Sequence, residues 1–488
     1  MGIVQTQSIK NTFITFFGFG IGAINALFFY TAFLGKYHYG ITTTILSAAN
    51  IAMPFLAFGV QNTLIRFYNH CKTEDEKDKF MTFVLVLPLA FVALFFVGIY
   101  VFYQPISGYF LAKNQGLEPF LILIPVIGLF MAYFEIFYAW VKVHMQSVVG
   151  NLISEVVVRV VTTILLFAVY FEFLSKVNFV YCLALAYFLQ LISIMIYAFK
   201  IKVPVLKFAI PHNIKEILAY SFFIVISGGV AVMLVDFDKV MINNYLDIEE
   251  NAVYSVAIFI ATVIIVPSRA MTQIVLPITA RLMAQEKWDE LNDLYKKSAI
   301  NLQVIGGLLM VGIFVNIDMI YAIIPGKYAT GTLVVILIGL TKFYDLILGN
   351  NNAIILNTKY YRVVLAFGFL LVFLMVVFNM WLIPIFGIVG AALATLLSVA
   401  IYNTIKLLFV VKKLHLFPFT KKTLVSFAII IATFGLFYFW DFSFIPFVNI
   451  VLKSILVTLF YIFLNYKLKV SEEVVVFMNS IFARLPKR

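Results

Sequence analysis

The sequence predicts an all-α integral membrane protein of about fourteen transmembrane helices. Three observations lead there. Hydrophobic residues make up 63% of the 488 and charged residues only 12%, against about 45–50% and about 25% in an ordinary soluble domain. Apolar runs long enough to cross a bilayer, about 20 residues each, follow one another from end to end. The basic residues fall on alternate connections between those runs, the pattern of a multi-pass chain that keeps its lysines and arginines in the cytoplasm.

Taken in order, the expected spans are Asn11–Leu34, Ile41–Ile65, Phe80–Tyr103, Pro119–Trp140, Ile153–Leu174, Phe179–Phe199, Glu216–Leu246, Ala252–Ile278, Ser298–Ile323, Thr330–Leu356, Val363–Ile383, Ile388–Val411, Thr423–Trp440 and Phe447–Tyr466. The first follows "MGIVQTQSIK", which has no small-residue cleavage site after a short apolar stretch, so it reads as a retained span and not a cleaved leader. With the N-terminus inside, the inner connections carry Arg66, Lys72, Lys77 and Lys79, then Lys200 to Lys215, Arg281 to Lys297, Lys359 and Arg362, Lys412 to Lys422, and the basic tail. The outer ones hold only Lys36, Lys113, Lys176 and Lys327. Both termini are therefore expected in the cytoplasm. The final "SEEVVVFMNSIFARLPKR" reads as a short amphipathic helix on the inner surface.

The net charge of +12 follows from that topology and from contact with anionic headgroups, so nucleic acid is not an expected partner. Cys71 and Cys182 imply no disulfide framework, and the five histidines are scattered without metal-ligand spacing. No cofactor is expected. The short outer connections leave no room for a catalytic domain, and no nucleophile and base stand together. An enzyme is not the expected reading.

A duplication is visible inside the chain. Tyr39 precedes Arg66 by the same spacing as Tyr254 precedes Arg281, and each arginine closes a span and opens a charged connection, "NHCKTEDEKDK" and "AQEKWDELNDLYKK". The expected organisation is a six-helix lobe over 1–207, a second over 208–414, two additional helices over 415–466 and a tail over 467–488.

The segments "FLGKYHYGI…FGVQNTLIRFY", "VDFDKVMINNYLDIEENAVYSVAIF…VLPITARL" and "FNMWLIPIFGIVGAALATLLS" resemble, in order and spacing, the O-antigen-type polysaccharide flippases of the multidrug/oligosaccharidyl-lipid/polysaccharide exporter superfamily. The resemblance implies two lobes in a V around a central cavity. It implies transfer of undecaprenyl-diphosphate-linked oligosaccharides from the inner to the outer leaflet of the bacterial cytoplasmic membrane by alternating access, for surface polysaccharide such as lipopolysaccharide O-antigen. Membrane lipids, a polysaccharide polymerase and export components are the implied partners, and a proton, sodium or the membrane potential the implied energy source. Within the superfamily the alternatives are a cation-coupled multidrug exporter and a lipid II flippase. For the latter, the cavity arginines find no match at equal offsets.

A charge at bilayer depth costs at least about 2.5–3.5 kcal/mol, so intramembrane charges are the candidate site. In "SGGVAVMLVDFDKVMINNYL" the helix is expected to continue to Leu246, which puts Asp236 about 15 Å below that end. Asp236 and Lys239 share a helix face and form a local ion pair or a functional group, while Asp238 points elsewhere and is left for a sugar hydroxyl or a coupling cation. Arg269, beside Pro267, either meets a diphosphate or snorkels. Lys342 and Asp345 stand three apart, followed by Asn350, Asn351 and Asn352, which suit a sugar or helix packing. Glu135, and Glu155 with Arg159 at i, i+4 spacing, are candidates for coupling, gating or a structural bridge. Arg66 and Arg281 mark the inner mouth. The glycines of "FFGFGIGAINAL", "ISGGVAV" and "IFGIVGAALAT" suit close packing or hinges.

Overall fold

The computed structural model describes residues 3–358, 360, 363–476 and 479, and among these there is helix and no strand. Lys359 and Arg362 of the expected basic connection, and most of the expected amphipathic tail, lie outside the described residues; the tail's start, 472–476, is helical. Contacts divide the chain into two compact units, 1–255 and 256–488.

The first unit opens with α1 (Ile3–Ile24), which passes through a π-helical stretch, Asn25–Leu34, into α2 (Gly35–Ala57). Gly35, at φ 72° and ψ 174°, breaks the rod where the two expected spans meet. A second break, Phe58 at φ 47° and Gly59 at φ 64°, separates α2 from α3 (Val60–Phe67). A Cβ on Gly59 would stand 2.5 Å from the Ser221 carbonyl oxygen, so only glycine fits this left-handed position. Next come α4 (Glu74–Val101), capped by Thr73, and α5 (Tyr103–Leu111). Acidic Glu74, Asp75 and Glu76 fill α4's first turn, where they complement the helix dipole. The unit continues with α6 (Leu123–Val143), α7 (Ser147–Leu152), a π turn at Ile153–Val157, α8 (Val158–Tyr170), α9 (Lys176–Ile201) and α10 (Ile214–Tyr245). α11 (Ile248–Thr262) contains the division between units.

Residues 202–213, the connection at the expected lobe boundary, are largely non-helical and are strapped to α4. Lys202 pairs with Glu74 at 2.7 Å and Asp78 at 3.1 Å, and Lys207 with Asp75 at 2.7 Å. Thr82 donates to the Val205 carbonyl and accepts from the Lys207 amide. These bonds raise the pKa of both lysines, chiefly Glu74 for Lys202 and Asp75 for Lys207.

The second unit holds α12 (Val266–Ala284), α13 (Trp288–Val315), α14 (Ile317–Ile323), α15 (Thr332–Ile347), α16 (Asn351–Leu356), α17 (Val363–Leu414), α18 (Lys421–Tyr438) and α19 (Pro446–Lys467). Gly387, at φ 60° and ψ −137°, interrupts α17 between the two spans expected there. On α17 the side chains of Phe369, Phe373, Val377 and Met380 are exposed at helical spacing, a lipid-facing row that would be hard to sustain in water.

The fourteen expected spans do not appear as fourteen separate helices. Among the described residues eleven helices are long and apolar enough to cross a membrane, or twelve if the bent pair 214–230 and 235–245 counts as one. Two of the eleven are 48 and 52 residues long. At about 1.5 Å per residue each exceeds twice the hydrocarbon thickness of about 30 Å, and these are the two that break at Gly35 and Gly387.

Candidate functional site

The interrupted span is α10, which runs on to Tyr245 and is capped by Leu246, as the sequence leads one to expect. Its two straight parts meet at 62° just before Asp236. A Cβ on Gly228 or Gly229 would meet nothing within 4 Å. These glycines, at the end of the first straight part, therefore make no tight packing contact.

Beyond the bend, Asp236 is 6% exposed. It accepts from Ser47 Oγ at 2.8 Å, Asn50 Nδ2 at 3.1 Å and Lys239 Nζ at 3.0 Å. The i, i+3 ion pair thus forms, and α2 supplies two further donors. Asp238 is not left over: it is buried and accepts from Tyr254 OH at 2.7 Å. Asn251 donates to Thr44 Oγ1 and to the Lys239 carbonyl, closing the network across α2, α10 and α11. At the end of α10, Asn114 donates to the Asn243 and Leu246 carbonyls and accepts from the Ile248 amide, which fixes the short turn into α11.

Glu155 and Arg159 form their bridge at 2.6 Å, both partly exposed. Glu155 lies in the π turn Ile153–Val157, and the π stretch Asn25–Leu34 reaches Arg159. Asn25, at the start of that stretch, donates to the Arg159 carbonyl, and Gln190 donates to the carbonyls of Ile153 and Ser154 in the π turn. Side-chain amides here occupy carbonyls at or beside the altered helical bonding. Gly18 and Gly22 lie against Arg159, and a Cβ on Gly18 would stand 2.5 Å from its Nη1. Glu135 is half-buried and makes no ion pair among the described residues.

In the second unit a 3₁₀ turn, Val263–Ile265, precedes α12, with Pro267 at its start. Arg269 follows it, exposed and without an ion pair among the described residues. Arg66 and Arg281 are exposed in the last turns of α3 and α12, and Arg66 lies 4.3 Å over the Tyr220 ring. Lys342 and Asp345 are half-buried. Asp345 accepts from Asn403 at 3.1 Å, and Asn403 in turn accepts from Lys406 at 3.1 Å. Asn350 and Asn351 are committed to packing: Asn350 bonds Thr279 and Ser298, and Asn351 bonds Tyr295. Asn352 is exposed.

Within the first unit, then, the structure joins Asp236 to Lys239, Asp238 to Tyr254 and Glu155 to Arg159. In the second it separates Asn350 and Asn351 from Asn352. Sequence reasoning missed Ser47, Asn50, Asn251 and Tyr254, and also Lys406, which is 2% exposed. Lys406 carried a signal, as a lysine inside an apolar run; the others look like ordinary polar residues of a span.

A sequence profile described as "Polysaccharide biosynthesis protein" matches residues 8–283. No curated protein matches the chain. Among solved structures, the inward-closed lipid II flippase MurJ superposes with a TM-score of 0.71 at 16% identity, covering 94% of this chain and 99% of that one. An inward-facing multidrug resistance transporter of the MATE family in the MOP superfamily gives 0.60 at 12% identity, covering 82% and 93%. A MOP superfamily transporter from Pyrococcus furiosus gives 0.52 at 12%, covering 89% and 97%. These likenesses show the fold, and the profile spans more than half of the sequence: the chain belongs to the polysaccharide biosynthesis protein family, built on the fold of the MurJ and MATE transporters.

Proposed function

We propose that the protein carries an undecaprenyl-diphosphate-linked oligosaccharide from the inner to the outer leaflet of the bacterial cytoplasmic membrane by alternating access, with both termini in the cytoplasm. The difficulty is the head, because a diphosphate and its sugars cannot cross about 30 Å of hydrocarbon unaided. One observation carries the reading. The span carboxylates Asp236, Asp238, Glu155 and Asp345 all have donors within their own units, while Arg269, Arg281 and Arg66 remain exposed. These exposed guanidinium groups suit a diphosphate. Family membership and the likeness to a lipid II flippase support the same substrate class. No bond is made or broken in this function; a polymerase and export components act on the delivered units.

The test is Arg269→Gln with Lys342→Gln in a strain that depends on this chain for its surface glycan. The expected result is normal membrane abundance, loss of surface glycan and accumulation of lipid-linked units on the inner leaflet, with unchanged drug sensitivity. Unimpaired glycan export, or altered drug efflux with normal glycan, overturns the reading.

A further inference from the structure

In the second unit four helix ends meet around a cavity of about 770 Å³. They are the C-terminal turns of α12, α16 and α17 and the first residue of α13, so the cavity lies at the level where spans give way to connections. Its size is that of a ligand pocket, commonly about 300–1,000 Å³. Its wall is amphiphilic. Ala280, Met283 and Ala284 give it an apolar part, and Lys413, His415 and Trp288 the donors. Among the described residues no carboxylate lines it.

The donors in the wall are not equivalent. Asn357 Nδ2 is used on the Ala353 carbonyl and Thr358 Oγ1 on the Ile355 carbonyl. Lys413 and His415 make no side-chain hydrogen bond or ion pair among the described residues, and Trp288 is 43% exposed. His415 is held at φ 56°, a left-handed conformation that a side chain other than glycine seldom adopts; its amide caps α17 by donating to the Val411 carbonyl. This turns the chain back and leaves the imidazole on the cavity wall beside Lys413. The carbonyl ends of α16 and α17 contribute roughly half a negative charge each. Lys413 and the adjacent Lys412 outweigh them.

A ligand that satisfies both parts is anionic at one end and apolar at the other, and the medium around the protein is made of such molecules. We propose that this cavity binds the phosphate of a membrane lipid, with the phosphate at Lys413, His415 and the Trp288 indole and the chain along Met283 and Ala284. Basic pockets among helix ends and an interfacial tryptophan are the elements that hold lipid headgroups. The site needs the membrane but not the transport reading above, so either can fail without the other. Two sources share the chemistry: an anionic phospholipid of the bilayer and a polyprenyl diphosphate.

The experiment is native mass spectrometry of the full chain in detergent, titrated separately with phosphatidylglycerol, undecaprenyl diphosphate and inorganic phosphate. Lys413→Gln with His415→Gln should weaken binding of at least one lipid by about tenfold, the effect of losing a charged hydrogen bond. Ala284→Trp, which fills the cavity and keeps both cations, should weaken it as well, with the unfolding temperature of each variant reporting intact folding. Whichever lipid responds identifies the source. Binding unchanged by all variants, or inorganic phosphate bound as tightly as either lipid, overturns the proposal.

Discussion

Replacing Asp236 by asparagine preserves shape and removes only charge, so it isolates what the carboxylate does. The acid is 6% exposed and its ion-pair partner Lys239 has 15% of its side chain accessible. At the 3.0 Å separation between them, Coulomb attraction is about 5–6 kcal/mol at an effective dielectric of about 20. Part of it is returned as desolvation, and breaking a buried pair by removing one partner typically costs about 3–5 kcal/mol. An asparagine oxygen can still accept one bond, so about 3 kcal/mol is the expected loss for Asp236→Asn. Asp236→Asn with Lys239→Met removes both charges and should lose less than the single change, since no unpaired ammonium remains. The assay is a double-mutant cycle on reversible unfolding in detergent micelles, with glycan export read in parallel. The reasoning is refuted if the single variant is as stable as the native chain. Stability retained while export is lost would instead mark the carboxylate as part of the transport path.

Three further outcomes are expected. Lys453 is 2% exposed and pairs at 2.9 Å with Asp441, which is 49% exposed. Asp441→Asn should therefore cost about 3 kcal/mol by stranding a buried ammonium, and Lys453→Met about 1 kcal/mol or less; equal losses in thermal unfolding contradict this. A Cβ on Gly40 would run into the Ile248 carbonyl oxygen, while one on Gly229 meets nothing within 4 Å. Gly40→Ala should lose about 1–3 kcal/mol and Gly229→Ala less than about 1 kcal/mol, as unfolding midpoints will show. Finally, because the pKa values of Lys202 and Lys207 are raised in the folded protein, their contribution is complete below the ordinary lysine value of about 10.4 and fades as pH climbs through the raised ones. A spin label at Leu206 should stay restrained at pH 8 and loosen above about pH 10.5, or in concentrated salt. A spectrum independent of both would show that the Thr82 bonds alone hold the strap.

The helical class and the continuation of α10 were legible because they depend on composition and on short-range apolar pattern. So were the pairs Asp236–Lys239 and Glu155–Arg159, whose partners sit one helical turn apart. The donors Ser47 and Asn50 were not legible, since they lie 189 and 186 residues from Asp236 and nothing local distinguishes them from other polar residues in a span. Without Tyr254, Asp238 looked spare. For Asn350 and Asn351 the sequence suits both sugar binding and packing, a choice that depends on where α12 and α13 come to lie. The span count blurred at Gly35 and Gly387 for a related reason: backbone conformation at one glycine decides whether a long apolar run continues or turns back.

The π stretch Asn25–Leu34 reaches five residues back for each bond and so stores extra chain relative to ordinary helix. Loss of one residue there would let the backbone slip into ordinary α geometry with its span nearly unchanged. Because the wide turn absorbs the additional residue, the helix faces on either side would keep nearly the same register, while the Asn25 amide, which sits in the altered stretch and meets the Arg159 carbonyl, would be displaced. Chain length in this stretch works like slack in a belt: one residue can be taken up there while the faces on either side stay in mesh.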